Sequence, residues 1–306
     1  MKDKISPTAG SGNRFAGIAS DCYACVIEQV RSAARFAELT DAQTRRVIAL
    51  AEAVLEKSKT TPILVQHVIR RVTDAIIQER GKSPGFDIYA GVKKTSNTLA
   101  LDCAEGLRKT IAAGDSPFEA GLQVAAAGNI IDFGAKNHGA LDLAKELQSL
   151  TEIPFARYDI DPFIKAIKGA ATLLYICDNS GEIVFDMLFI DEIRRLYPGL
   201  KIVAALRDRP IINDATLADA RAVGLDLLVD TISSGSVYPG TVLSESTRAF
   251  RDLFASADVM LAKGQGNLET LLPHADERLF FLLRIKCEYM AALTRVEKGS
   301  LVLMQG

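Results

Sequence analysis

The chain has 306 residues, of which 48% are hydrophobic and 24% charged, an ordinary composition for a globular protein. Its formal net charge of -2 provides no basic surface, so we expect no nucleic-acid partner. No apolar run reaches the ~18 residues of a membrane span, and residues 1–13 lack the apolar core of a signal peptide. We therefore predict a cytoplasmic protein without a membrane partner; the oligomeric state stays open.

The first part of the chain, up to residue 130, shows helix signals alone. The predicted helices are 20–38, 40–57, 62–81, 87–113 and 116–127. Capping boxes at Thr40–Gln43 and Ser116–Glu119 are predicted to open two of them, and Thr61-Pro62 is predicted to open the third. Gly81 and Gly114 are predicted to end the third and the fourth. We predict an α-helical subdomain over residues 1–130.

From residue 131 onward, apolar runs typical of strands alternate with helical patterns. The predicted strands are 173–177, 202–206, 227–229, 259–262 and 279–285, with short edge strands near Phe155 and at 301–304. The predicted helices are 182–196, 217–223 and 244–255. Alternation of this kind is typical of a parallel sheet with helices on its faces. We therefore predict an α/β fold, in which residues 131–306 form a Rossmann-like α/β/α layer with a mainly parallel sheet that binds metal and phosphate.

Oxygen-rich side chains directly follow the first central strand of this sheet. Asp178 and Asn179 come after the strand, and Glu182 lies in the first turn of the next helix. Carboxylate and amide oxygens are hard donors that suit Mg²⁺ or Mn²⁺. The same residue types also turn chains and cap helices, and an acidic residue is favoured at a helix N-terminus in any case. From this stretch alone, both interpretations stay open.

Polar and glycine residues follow the other central strands as well. They include Asp214, Ser234, Gly235, Ser236, Lys263, Gly264 and Asn267. Because parallel strands end at one edge of a sheet, we expect these residues to be neighbours. Carboxylates would hold a cation, main-chain N–H groups of glycine and serine turns would surround a phosphate, and a lysine would add a positive charge. The alternative is that loops are polar anyway; it explains Lys263, next to Gly264, poorly.

Several motifs in this order resemble the metal-dependent damage-control phosphatases, formerly known only as domain of unknown function eighty-nine. They are Asp178-Asn179-x-x-Glu182, Ile212-Asn213-Asp214-Ala-Thr216, Ser234-Gly235 with Pro239-Gly240, and Lys263-Gly264-x-Gly266-Asn267. The helical part is similar to the prokaryotic branch of that family with a cysteine pair. Its motifs are Asp21-Cys22-x-x-Cys25 and Gly128-Asn129-x-x-Asp132-Phe133-Gly134.

The resemblance implies an enzyme, a metal-dependent phosphomonoester hydrolase. Its divalent cation (Mg, Mn, Co or Ni) would be held by Asp178, Asn179 and Asp214, and its substrates would be small phosphorylated metabolites such as sugar phosphates or damaged metabolites. We predict catalytic roles for these three residues and for Lys263. The predicted substrate- or phosphate-binding residues are Glu182, Asn129, Asp132, Ser234, Gly235, Ser236, Lys263, Gly264 and Asn267. Asn129 and Asp132 could equally cap helices. Gln265 stands where many relatives carry an aspartate, which bears on the substrate.

The cysteine pair has two interpretations. Cys22 and Cys25 share one face of a predicted helix, close enough for one metal or a redox bridge, and Cys287 could be a third ligand of this second, softer metal site. The alternative is that the thiols pack as small apolar side chains. The odd number of five cysteines fits reduced thiols. His67, His138 and His274 are scattered along the sequence, so we assign them no catalytic role.

Two other functions stay open. A carboxyl methyltransferase that uses S-adenosylmethionine would need a glycine-rich loop after its first strand, and a single glycine at Gly181 meets this need poorly. A non-enzymatic metal- or metabolite-binding protein would keep the ligands but would need no residue to position an attacking water.

Overall fold

The structure is a computed structural model that describes residues 18–61, 63–128 and 153–306. The chain divides into two compact units, Met1–Gly81 and Lys82–Gly306. The predicted boundary after residue 130 lies outside the described residues, as do Pro62 and the predicted site residues Asn129 and Asp132. In the described part, the helices between Lys82 and Gly128 belong to the same unit as the sheet.

In the described part of the first unit, three helices pack on one another: α1 (Ser20–Phe36), α2 (Asp41–Ser58) and α3 (Val65–Glu79). The predicted capping box opens α2, since Thr40 accepts a hydrogen bond from the Gln43 main chain and the Gln43 side chain accepts one from the Thr40 main chain. The prediction that Thr61-Pro62 opens α3 is wrong. This helix begins at Val65, because the chain is still extended at Leu64.

The second unit begins with two helices, α4 (Ala90–Ala113) and α5 (Pro117–Gly128), which pack against a later helix, α7 (Glu182–Leu196). Glycine lets α5 approach α7 closely. A Cβ atom on Gly128 would lie 2.7 Å from the ring of Phe185 and 3.3 Å from Cγ of Glu182. The described part of α5 therefore ends beside the first turn of α7.

Seven strands of the second unit's described residues form one sheet, in the order β1-β7-β6-β5-β2-β3-β4. They are β1 (Phe155–Tyr158), β2 (Thr172–Ile176), β3 (Lys201–Leu206), β4 (Asp230–Ser233), β5 (Val259–Lys263), β6 (Leu279–Arg284) and β7 (Leu301–Gln305). The five strands from β6 to β4 are parallel to one another, whereas β7 runs antiparallel to β6 and pairs in parallel with β1. The predicted mainly parallel α/β fold is confirmed.

Helices cover the sheet, and its central strands are buried on both faces. The remaining helices are α6 (Ile160–Lys168), α8 (Leu217–Val223), α9 (Leu225–Leu228), α10 (Arg248–Ser256), α11 (Gln265–Leu271) and α12 (Glu288–Thr294). One core cluster includes Phe163, Phe189 and Phe280, and the other includes Phe250 and Phe281. Burial on both faces explains why the strands appear in the sequence as unbroken apolar runs.

The predicted strand at 227–229 is wrong. Residues Leu225–Leu228 form the short helix α9, Leu227 is exposed, and the strand begins only at Asp230. Asp230 therefore lies at the start of β4, where it forms an ion pair with Lys201 at 3.2 Å. The predicted helix 244–255 begins later, at Arg248, because Thr247 caps it.

No helix in the described part of the chain is long and apolar enough to cross a membrane.

Candidate active site

Two neighbouring loops bring the predicted metal ligands together at the carboxyl edge of the sheet. The loop after β2 carries Asp178 and Asn179, and the loop after β3 returns to Asp214. The Ala215 N–H donates to the Asp178 carbonyl at 2.7 Å, and Asn179 and Asp214 face each other across a short antiparallel bridge. The carboxylates of Asp178 and Asp214 are buried, with 7% and 3% of each residue exposed. The structure therefore brings the three predicted ligands together, and their role in holding a metal stays a prediction.

A buried arginine, absent from the predicted site, pairs with both carboxylates. Arg207 follows β3, and its Nε donates to Asp214 Oδ2 at 2.8 Å. Its Nη2 lies 3.5 Å from Asp178 Oδ1, and its Nη1 donates to Thr241 Oγ1 at 3.2 Å. The guanidinium thus fixes the orientation of both carboxylates. The only signal in the sequence is a charged residue at the end of an unbroken apolar run.

The amide of Asn179 is oriented by two acceptors. Its Nδ2 donates to Asp178 Oδ2 at 2.7 Å and to Glu182 Oε2 at 3.1 Å. Because carboxylates accept and cannot donate when ionised, the NH₂ group must face them. The Asn179 oxygen is then the end of the amide that remains for a ligand.

Lys263 lies in a buried ionic cluster with Glu182 and Asp186. Its Nζ lies 2.7 Å from Glu182 Oε1 and donates to Asp186 Oδ1 at 2.6 Å and to the Ala125 carbonyl at 2.8 Å. The hydroxyl of Tyr175 donates to the same Asp186 oxygen at 2.7 Å. All four side chains are at most 1% exposed. These three partners match the three N–H donors of the ammonium, so the geometry favours a structural role in which Lys263 bridges α5 and α7. The predicted contact of Lys263 with phosphate stays a prediction.

Asp186 and Tyr175 are absent from the site predicted from the sequence. Asp186 lies one helical turn after Glu182 on α7, so the two carboxylates share a face at i, i+4 spacing. That spacing was a signal for a shared partner. Tyr175 is hidden inside an apolar strand, and the sequence contains no sign of the hydrogen bond its hydroxyl makes.

Burial raises the pKa of several carboxyl groups in this region. Burial, the neighbouring carboxylates of Asp214 and Glu182, and an opposing contribution from Arg207 bring the pKa of Asp178 to about 8. Burial also raises the pKa of Asp214, against Arg207, and raises that of Asp186 to about 6, against Lys263. Burial opposes the charge of Lys263, but the carboxylates of Asp186 and Glu182 outweigh it and raise the pKa of its ammonium. Four buried carboxyl groups thus share two buried cations, Arg207 and Lys263. The raised pKa of Asp178 shows that its ionised form is disfavoured there, and a bound cation would favour that form.

Gly264 supports the carboxylate of Asp178. It has a φ of +80°, and a Cβ atom added there would overlap that carboxylate. Its ψ of 161° places it in a region of backbone conformation that is essentially restricted to glycine. The two neighbouring loops also touch through glycines, since a side chain on Gly240 would overlap the Gly266 carbonyl. The glycines of this edge therefore allow close approach of the loops that build the site.

We expect Gly264→Ala to lower kcat at least about 100-fold, because a displacement of the Asp178 carboxylate by an ångström is enough for such a loss. The strained backbone adds a stability cost of about 1–3 kcal/mol. Kinetics and thermal unfolding measure both effects. Gly224→Ala is the matched control: Gly224 also has a positive φ, +83°, but an added Cβ would meet nothing nearer than 4.0 Å. The control should lose stability alone; a Gly264→Ala enzyme with activity within tenfold of wild type would contradict the interpretation.

The predicted phosphate-binding side chains after β4 and β5 are engaged inside the protein. Ser234 Oγ donates to the Leu206 carbonyl at 2.9 Å, and Ser236 Oγ donates to the Gly240 carbonyl at 2.7 Å. Asn267 Nδ2 donates to the carbonyls of Lys263 at 2.7 Å and Cys177 at 3.2 Å, while its oxygen accepts from Thr241. These side chains hold the strand ends together. For Ser234, Gly235, Ser236, Gly264 and Asn267, contact with phosphate stays a prediction.

No three His, Cys, Asp or Glu side chains of the described residues are grouped to hold a metal ion. The set around Asp178 has two carboxylates and an amide, and Mg²⁺ usually keeps several waters, so a protein site need not supply three acidic ligands. All five cysteines are free of disulfides. Cys22 is partly buried and Cys25 is exposed, so neither is a core residue; the second metal site with Cys287 stays a prediction.

The fold and this edge define an α/β protein whose buried polar centre lies at the carboxyl ends of parallel strands. The chain belongs to the damage-control phosphatase ARMT1-like domain family, whose model matches residues 18–302. The chain is 32% identical over 287 residues to damage-control phosphatase PH1575 of Pyrococcus horikoshii, covering 93% of this chain and 96% of that protein. A damage-control phosphatase of Archaeoglobus fulgidus is 27% identical over 288 residues, covering 92% and 96%.

A solved structure has the same fold. The crystal structure of a DUF89 family protein, PH1575 from Pyrococcus horikoshii, superposes with a TM-score of 0.85 at 30% identity and covers 94% of this chain and 99% of that one. The resemblance inferred from the motifs is therefore confirmed at the level of the family. The names of the relatives support a phosphatase enzyme.

Proposed function

We propose that the chain is a divalent-metal-dependent phosphatase that hydrolyses small phosphorylated metabolites, such as sugar phosphates or damaged metabolites. The observation that carries the proposal is the group formed by Asp178, Asn179 and Asp214 at adjacent strand ends. The names of two relatives support dephosphorylation of damaged metabolites.

The residues present fit a divalent cation. Two carboxylates and an amide oxygen are the hard donors that Mg²⁺ and Mn²⁺ prefer, and the surrounding buried cluster carries more carboxylates than cations. The Ser180 hydroxyl, buried directly after Asn179, has no hydrogen-bond partner among the described residues. A buried hydroxyl of this kind calls for a partner, which water or a ligand at this edge would supply.

Asp178, Asn179 and Asp214 would hold the cation, which when bound supplies Lewis-acid polarisation of the phosphoryl group. The buried guanidinium of Arg207 holds the carboxylates of Asp178 and Asp214 in place. Glu182 is next to this set through Asn179 and is held on its other side by Lys263. We assign Glu182 the role of orienting the attacking water and accepting its proton, since a positioned carboxylate can do both.

Removal of divalent metal should abolish the release of inorganic phosphate from a panel of sugar phosphates. The protein is treated with EDTA and desalted, and Mg²⁺, Mn²⁺, Co²⁺ or Ni²⁺ is then added back, which should restore activity. The added metal should also raise the midpoint of thermal unfolding, because it binds the folded state and not the unfolded state. Asp178→Asn is the control. In this variant, added metal should neither restore phosphate release nor raise the midpoint of thermal unfolding.

The other two functions predict different results. A non-enzymatic binding protein would show the thermal shift without phosphate release. A methyltransferase would transfer a methyl group from S-adenosylmethionine without needing the added metal. Phosphate release that EDTA does not affect would contradict the metal dependence.

A further inference from the structure

Helix α4 packs against α7 and α8, the two helices that directly follow the loops carrying the predicted metal ligands. Asp178 and Asn179 lie on the loop between β2 and α7, and Asp214 lies on the loop between β3 and α8. A cation shared by the two loops would need their separation to be fixed, because Mg²⁺ demands near-ideal octahedral geometry. What α4 does to these loops therefore bears on the metal site.

Asn97 of α4 holds the loop after β2. Its Oδ1 accepts a hydrogen bond from the Gly181 main-chain N–H at 2.6 Å, and Asn97 is 6% exposed. Because a main-chain N–H can only donate, the oxygen end of the Asn97 amide must face it. Gly181 is the N-cap residue of α7 and lies two positions after Asn179. The hydrogen bond therefore fixes the loop where it passes from the two ligands into α7.

Lys93 of α4 holds the loop after β3 through Asp219. Its Nζ lies 2.6 Å from Asp219 Oδ2 and donates to Asp87 Oδ2 at 2.9 Å. The same Asp219 oxygen accepts from the main-chain N–H of Thr216 at 2.9 Å and from its hydroxyl at 2.7 Å. Burial opposes the charge of Lys93, but the carboxylates of Asp219 and Asp87 outweigh it and raise the pKa of the ammonium. A charged pair thus connects α4 to the end of the loop that carries Asp214.

The two side chains share one face of α4. Lys93 and Asn97 have i, i+4 spacing, which places them about 6 Å apart along the helix axis. The loops that they hold meet at the short bridge between Asn179 and Asp214. The charge of Lys93 also reaches the site: burial raises the pKa of Asp214, and the charges of Arg207 and Lys93 act against burial. One helix face therefore supports both sides of the predicted metal site.

We propose that Lys93 and Asn97 are positioning residues that fix the separation of the two ligand loops before the cation binds. The proposal deepens the proposed function and rests on its metal dependence. Without these contacts the loops would be ordered only as the cation binds, and the free energy of ordering them would reduce the affinity. Loss of such a supporting partner typically weakens metal binding about 10–100-fold.

The test uses two variants of the full chain that each remove one contact without changing the net charge. Asn97→Leu removes the acceptor for the Gly181 N–H at a similar side-chain size. Lys93→Met/Asp219→Asn removes the ion pair, and the oxygen of the new amide can still accept from Thr216. The single change Lys93→Met would leave Asp219 without its counter-charge, and the double change avoids this.

Leu107→Ala is the matched control on the same helix. Leu107 is 8% exposed and belongs to the core cluster that includes the central strands. It lies about 15 Å beyond Asn97 along the helix axis. The cavity that this change creates should lower the midpoint of thermal unfolding and should leave both ligand loops in place. The control therefore separates a loss of packing in α4 from a loss of loop position.

Calorimetric titration of the metal-free protein with Mn²⁺, below the unfolding midpoint of every variant, measures the Kd without turnover. Each of the two test variants should raise this Kd about tenfold, which corresponds to about 1.4 kcal/mol. Their kcat for a sugar phosphate at saturating Mn²⁺ should stay within about threefold of wild type, because the bound cation then holds the loops itself. Leu107→Ala should keep the Kd of wild type.

The results separate this proposal from the proposed function. If wild type binds Mn²⁺ but releases no phosphate, the phosphatase proposal fails while the Kd values still test α4. If the two test variants bind Mn²⁺ as tightly as wild type, or if Leu107→Ala loses as much affinity as they do, the positioning role is overturned. If one test variant does not fold, the Kd of the other decides whether α4 positions a ligand loop. A wild type that binds no Mn²⁺ overturns both proposals.

Discussion

Asp178→Asn and Asp214→Asn should each lower kcat at least about a thousandfold, which corresponds to about 4 kcal/mol in the activation barrier. The amide keeps the size of the side chain and leaves an oxygen that can accept from Arg207. It removes the charge that would hold the cation. Steady-state phosphate release under saturating Mg²⁺ or Mn²⁺ measures the loss.

The control for these variants is Asp208→Asn. Asp208 lies on the same loop as Asp214, is exposed, and accepts a hydrogen bond from Ser233 Oγ at 2.7 Å. Its replacement should leave kcat within about twofold. An Asp178→Asn or Asp214→Asn enzyme that kept a tenth of its activity would remove that residue from the ligand set.

Alanine at the same positions separates stability from catalysis. Asp214→Ala should destabilise the protein by about 3–5 kcal/mol, because it leaves the buried Arg207 without its nearest carboxylate. Removal of a surface carboxylate costs about 0.5 kcal/mol or less. The larger cost applies here because Asp214 is buried. Asp178→Asn should instead leave the metal-free protein as stable or more stable, since burial disfavours its charge.

The fold could be predicted from the sequence where a single pattern determined it. The strands at the centre of the sheet are buried on both faces, so their apolar runs located β2 and β3 to within a residue of their ends. The prediction of a strand at 227–229 was wrong because this apolar run is too short to distinguish a strand from a helix. There, Gly224 in the left-handed conformation ends one helix and begins another, and Leu227 faces solvent.

The sequence was enough to predict which residues of the candidate site lie close together, but not how deeply they are buried. Parallel strands must end at one edge, which is enough to group Asp178 with Asp214. Nothing in the local sequence says that Lys263 is buried, because its partners come from other elements: Asp186 from α7 and the Ala125 carbonyl from α5. A lysine next to glycine therefore suggested a phosphate contact, and the sequence contained no sign of the ionic cluster that the structure shows.

Lys263→Met should destabilise the protein by about 3–5 kcal/mol, the cost of breaking a buried ion pair by removing one partner. Methionine matches the length of the stem, so the lost charge dominates over any cavity. Glu182 and Asp186 would be left as buried carboxylates without a counter-charge. Chemical denaturation followed by circular dichroism measures the change in the free energy of unfolding. Lys201→Met, at an exposed ion pair with Asp230, is the control and should change it by less than about 1 kcal/mol.

Two further measurements distinguish the ionic cluster from a simple loss of packing. The destabilisation should be smaller at pH 5 than at pH 8, because Asp186, whose pKa is already raised to about 6, takes up a proton at low pH and relieves the uncompensated charge. The double variant Lys263→Met/Asp186→Asn should recover about 1–3 kcal/mol relative to the sum of the single changes. If Lys263→Met instead keeps wild-type stability at both pH values and loses only affinity for phosphate, the ammonium acts on the substrate and the bridging role is wrong.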